Sequence, residues 1–211
     1  MSIFAHREDT RGFTPRHPIV CIEDLVGASS AVAYIVYVRD WSLTILPAAI
    51  LFQYVASGTY HWLPYNKVRQ TIDHVAIALL IAGTYIQFWF KLLPTSEFMP
   101  LMYSMCSFAL GICIFRIVSP DRLHGISYVM YLLLGLVGLL FTILNGYMFT
   151  DALSMFLFLT GVGLYAIQFA IFSLEDSDPW PNVFGYRELQ HVILVAASDT
   201  HLLTAIVYLP F

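Results

Sequence analysis

Three stretches of this chain set histidines beside groups that can work with them. Ser57 and His61 are four residues apart, Asp73 and His74 are adjacent, and Arg187, Glu188 and His191 open a later segment. On a helix, residues four apart share a face and are separated by one turn, roughly 6 Å. Ser57 and His61 then point the same way, as do Arg187 and His191. Imidazoles from two helices, with a hydroxyl and a carboxylate in reach, are what a zinc site with an open, water-bearing position needs. In such a site His61 and His191 supply neutral nitrogen ligands and Asp73 orients or deprotonates the water. Ser57 holds that water or a substrate carbonyl. A plainer reading stands beside this one: interface histidines hydrogen-bond to neighbouring helices, and Asp73 is a helix N-terminal charge favoured by the dipole.

The elements that position these residues follow from composition. The 211 residues are 59% hydrophobic and only 11% charged, with a mean hydropathy of +0.73. That is too apolar to coat a water-soluble domain, so lipid is the solvent for most of the chain. Charged or proline-bearing breaks separate seven apolar runs, at 19–38, 42–63, 72–90, 98–118, 125–144, 150–172 and 187–209. Each is about the twenty residues a membrane span requires. Continuous runs of this length are helices rather than the ten-residue alternations of a membrane barrel. The expectation is an all-α polytopic membrane protein with a polar tail at 1–18 and a seven-helix transmembrane domain at 19–211. The tail has no apolar stretch or small-residue cleavage site typical of a signal peptide.

Basic residues set the orientation, because loops rich in them stay in the cytoplasm. Arg7, Arg11, Arg16, Lys67, Arg69, Arg116, Arg122 and Arg187 fall on one side, against Arg39 and Lys91 on the other. This predicts an N-terminus inside and a C-terminus outside. It also brings His61, Asp73 and His191 to the cytoplasmic ends of the second, third and seventh helices. Ionisable groups are costly in a membrane, so this convergence marks a functional candidate.

Other residues carry blander expectations. Asp199, mid-way along the seventh helix, reads as a carboxyl hydrogen-bonded to a neighbouring helix or, more sharply, as the polar floor of a cavity. His201 lies nearly three turns from His191 and reads as structural. Arg116, Arg122, Trp41, Trp62, Trp89 and Trp180, all near segment ends, read as interface anchors. Gly135, Gly138, Gly161 and Gly163 would allow close helix contact, and Cys21, Cys106 and Cys113 imply packing rather than a disulfide framework. A net charge of -4 offers no basic surface for nucleic acid. Lys67 and Lys91 sit in loops or at helix ends, which removes the lysine a retinal-binding bundle would need.

The spaced set of residues resembles the hemolysin III and progestin/adipoQ-receptor family. These seven-helix membrane proteins include the adiponectin receptors and group with the alkaline ceramidases. The resemblance rests on Ser57-Gly-Thr-Tyr-His61, on Ile72-Asp73-His74 followed by 78–85, and on Arg187-Glu188-Leu189-Gln190-His191-Val192 with His201 ten residues on. It implies that His61 and His191 are zinc ligands, with Ser57 and Asp73 as polar helpers near the metal's water. The family's third ligand position is Arg187 here, which cannot bind a cation. Its first-helix pattern of Glu, Asn and His reads Glu23, Val26 and Ser30. Either Asp73 or Glu188 completes a zinc site, or Arg187 fills the metal's space and pairs with Asp73.

The leading expectation is a zinc-dependent hydrolase of a membrane-lipid amide or ester bond, using a metal-bound water, in a bacterial inner membrane. The alternative is a non-catalytic, receptor-like or regulatory protein in which Arg187 replaces a ligand and receives an anionic lipid head group. Pore formation has only the hemolysin name behind it, since no polar lining for conduction is visible.

Overall fold

A computed structural model describes residues 17–119, 124–145, 152–173 and 184–208. Residues 1–16 of the N-terminal tail, Arg122, Trp180 and the last three residues lie outside them, as does much of the charge pattern behind the orientation. The described residues form seven α-helices and no sheet: α1 (Pro18–Val38), α2 (Ile45–Trp62), α3 (Lys67–Leu92), α4 (Thr95–Val118), α5 (His124–Leu144), α6 (Ala152–Ser173) and α7 (Tyr186–Tyr208).

Local hydrogen bonding explains where two helices depart from the predicted spans. Residues 41–43 form a 3-10 turn, because the Asp40 carboxylate accepts from the Ser42 amide at 2.9 Å and its hydroxyl at 2.7 Å. The α2 helix therefore starts at Ile45, and its first amides are capped from another helix. Gln87 Oε1 of α3 accepts from Ile45 N at 3.0 Å and Leu46 N at 3.3 Å. The α3 helix instead starts five residues early, because the Asn66 side chain accepts from Val68 N at 2.8 Å and Arg69 N at 3.3 Å, an N-cap.

Six of the helices, all but α2, are long and apolar enough to cross a membrane. The α2 helix is 18 residues long, and Gln53, Ser57, Thr59 and His61 lower its hydropathy. Its neighbours α1 and α3 pack along it, so Gln53, Ser57 and His61 are buried. Outward faces remain apolar, with Ile22, Leu25 and Val36 of α1, Leu110 and Ile117 of α4, and Leu133 and Leu140 of α5 exposed. Rows of this kind are what acyl chains solvate. This is an integral membrane protein.

The remaining close packing is α6 on α7 and α1 on α7, with α3 against α4 and α5. Two of the four predicted contact glycines serve it. A Cβ on Gly138 would sit 2.3 Å from the Tyr85 ring, and one on Gly161 would sit 2.6 Å from His201 Nε2, while Gly135 and Gly163 face open space. Two expected anchors are interior instead. Trp89 is buried and donates from Nε1 to Thr142 Oγ1 at 3.1 Å. Arg116 is buried where α4 meets α5, donating from Nη1 to Ser127 Oγ at 3.2 Å. Both residues find a hydroxyl partner on α5, which removes the need to reach the headgroups. Trp41 and Trp62 are exposed, as expected.

Candidate metal centre

The ends of α1, α2, α3 and α7 meet around His61. Its ring lies 5.2 Å from the His191 ring, edge to face at 88°. Two imidazoles on one tetrahedral zinc, each with Zn–N of about 2.0–2.1 Å, place their ring centres roughly 5 Å apart, so this spacing suits a shared ion. Edge-to-face aromatic packing alone reaches the same range, and the surroundings decide which reading gains weight.

On the far side of His191 lies Asp24 of α1, with Oδ1 3.1 Å from His191 Nδ1. A carboxylate there fixes the proton on Nδ1 and leaves the Nε2 lone pair free, the arrangement by which outer carboxylates orient metal-binding imidazoles. Asp24 is almost fully buried and faces Gly58 of α2, where even an added Cβ would make ordinary contact with it at 3.6 Å. His17 adds a third imidazole at the start of α1. Its ring is 5.2 Å from that of His61, and its amide donates to the His61 carbonyl at 3.3 Å.

Ser57, one turn before His61, is fully buried, and its Oγ has no hydrogen-bond partner among the described residues. Asp73 is buried and accepts at Oδ1 from Gln53 Nε2 at 3.3 Å. It lies near enough to His191, Asp24 and Arg116 for their charges to act on it. His74 is turned to its own helix, with Nδ1 donating to the Gln70 carbonyl at 2.6 Å. Glu188 Oε2 accepts from the Gly185 amide at 2.9 Å and caps α7. Arg187 Nε donates to the Tyr186 hydroxyl at 3.1 Å. Among the described residues, no three metal-binding groups are gathered tightly enough to grip an ion as they stand. His61 and His191 are the pair whose spacing suits a shared zinc ion, with the His17 ring on His61.

A cavity of about 630 Å³ opens beside these groups, with Gln53, His61, Asp73, Arg187 and His191 at one end and Thr84, Tyr85, Tyr165 and His201 further in. Ser57 and Asp199 are not part of its wall. Asp199 is off that wall, so the deep histidine His201 is the ionisable group that the inner part of the cavity meets. Side chains of both α5 and α6 line the cavity, and these two helices are not among the closely packed pairs. The cavity, walled also by α2, α3 and α7, therefore extends to the gap between these two helices.

A sequence model described as haemolysin-III related matches residues 5–202. The chain belongs to the haemolysin-III-related family. It is also similar to a hemolysin-3 homolog of Bacillus subtilis (strain 168), 34% identical over 97 residues, which is 44% of this chain and 46% of that relative. The match spans less than half the length of that relative. Within this haemolysin-III-related chain, the resemblance read from Ser57, His61, Asp73 and His191 therefore holds at the level of family. Sequence reading missed His17, Asp24 and Gln53. Asp24 carried a usable signal, because Asp24, Gly27, Ala31 and Tyr34 form one buried stripe at helical spacing on α1.

Proposed function

We propose that this haemolysin-III-related protein is a zinc-dependent hydrolase that cleaves an amide or ester bond of a membrane lipid. The observation that carries the reading is the His61–His191 pair at 5.2 Å, with Asp24 behind His191 at 3.1 Å, at the mouth of a largely apolar cavity. In this reading all seven helices span the bilayer, with the N-terminus inside, and the site faces the inner leaflet of a bacterial plasma membrane.

His61 and His191 would hold the metal, with His17 as the third donor. Bound there, zinc would polarise the scissile carbonyl and supply an activated water. The lipid's acyl chain lies in the cavity, which places its carbonyl beside His61. Asp73 takes the water's proton and returns it to the leaving amine or alkoxide, while Gln53 Nε2 holds its other oxygen. Ser57 Oγ lies off the cavity wall, one turn before His61 and without a protein partner among the described residues; it would meet the attacking water from behind His61.

A non-catalytic reading has one observation in its favour. Arg187 lines the cavity, where a guanidinium suits an anionic head group. The two readings part on one experiment: purified protein in lipid, given ceramide and monoacyl esters, with liberated fatty acid measured beside Asp73→Asn. The hydrolase reading requires turnover that the substitution abolishes. No release from any amide or ester, with zinc present, leaves the binding role.

A further inference from the structure

We propose that the deep end of the cavity is a recognition site for a hydroxyl group carried part-way along a lipid acyl chain, with His201 as the residue that reads it. The inference rests on the reading that the cavity holds an acyl chain.

His201 is fully buried and lines the cavity, yet neither ring nitrogen has a hydrogen-bond partner among the described residues. A neutral imidazole carries one donor and one acceptor, and burying both unmet is unfavourable. The other polar side chains lining this part of the cavity, Thr84, Tyr85 and Tyr165, have partners. Tyr54 OH donates to Ser198 Oγ at 3.0 Å and Tyr165 OH lies 3.1 Å from the same oxygen. Thr84 Oγ1 donates to the Leu80 carbonyl at 2.9 Å, and Tyr85 OH to the Gly135 carbonyl at 2.9 Å.

The ring is also held in place. Tyr165 stacks on it at 5.5 Å, Phe158 meets it edge-on at 5.2 Å, and the missing side chain of Gly161 makes room for it. A polar ring fixed by aromatic neighbours, on the wall of a lipid-sized space, is suited to a polar group brought by the ligand. A hydroxyl is both donor and acceptor, matching the imidazole. His201 lies ten residues beyond His191 on α7, roughly 15 Å along the axis. That is about half of the ~30 Å hydrocarbon layer, so the matching hydroxyl sits well down a single chain whose carboxyl end is at His61.

The test uses the full chain in nanodiscs with ricinoleate and oleate, which differ by one hydroxyl two thirds of the way along the chain. Each competes against a fluorescent fatty acid. Ricinoleate should bind about tenfold more tightly, as one added buried hydrogen bond implies. His201→Leu should erase the difference, and His201→Gln, which keeps a donor and an acceptor, should retain part of it. Ricinoleate should also shift the His201 ring-nitrogen NMR signals of the unsubstituted protein, a readout independent of either variant folding. Equal affinity for both acids, or no shift at His201, overturns the proposal and leaves the chain-binding reading standing, with buried water as the partner of His201. Binding of neither acid overturns the chain-binding reading itself.

Discussion

Removing the carboxylate behind His191 is the sharpest perturbation of the proposed site, because Asp24 is not itself a proposed ligand. Asp24→Asn keeps the shape of a side chain enclosed by Gly58 and His191, so the helix contacts persist. The substitution removes the negative charge and lets either carboxamide atom face His191 Nδ1. The imidazole then loses its fixed tautomer and part of its basicity. Changes of this kind behind a metal-binding histidine lower affinity about 10–100-fold, or roughly 1.4–2.8 kcal/mol. The assay is zinc competition against a chelating dye in detergent, with Asp199→Asn as a half-buried carboxylate control off the cavity wall. Asp24→Asn should weaken zinc at least about tenfold and Asp24→Ala further, while the control stays at the unsubstituted value. An unchanged affinity in Asp24→Ala would refute the reasoning, since the 3.1 Å contact would then be packing alone.

Ser57→Ala should keep zinc and lower kcat about a hundredfold, as loss of one donor at a reacting oxygen does, measured by fatty-acid release. His17→Ala should weaken zinc at least about tenfold by removing a donor from the set; unchanged binding would remove His17 from the ligand set. Gly161→Val should lower the melting temperature in detergent, because its side chain meets His201 in a cage that cannot withdraw, at a cost of about 1–3 kcal/mol. Asp40, outside the spans, is held below the ordinary carboxylate range, first by the Ser42 hydroxyl, then by the Ser42 amide and Lys91. Its folded-state pKa is lowered, so its stabilisation is present above the unfolded value of about 4 and is lost as pH falls through the lowered one. The melting-temperature gap between the unsubstituted protein and Asp40→Asn should therefore hold from neutral pH down to about 4 and close below it.

The helices were legible because each apolar run is long enough to leave no other way of satisfying its backbone in lipid. The start of α2 was not, because its cap is Gln87, about forty residues away in sequence, and no local pattern announces a cap supplied by another helix. The meeting of His61 and His191 followed from placing both at one membrane face. Asp24 was hidden behind its neighbour Glu23, which matched the family's acidic position, and His17 fell inside the stretch read as polar tail, which ends at Pro18. Arg116 and Trp89 were misplaced for a common reason. Position near a span's end fits both snorkelling to the interface and pairing inward, and only the facing Ser127 and Thr142 on α5 decide between them.

The central claim is that His61 and His191 share a metal ion, and metal content tests it most directly. Protein purified without chelators should carry about one zinc per chain by atomic spectrometry, and His61→Ala, folded by its melting curve, should carry none. Unsubstituted protein free of zinc, or a His61→Ala variant that keeps it, would contradict the account.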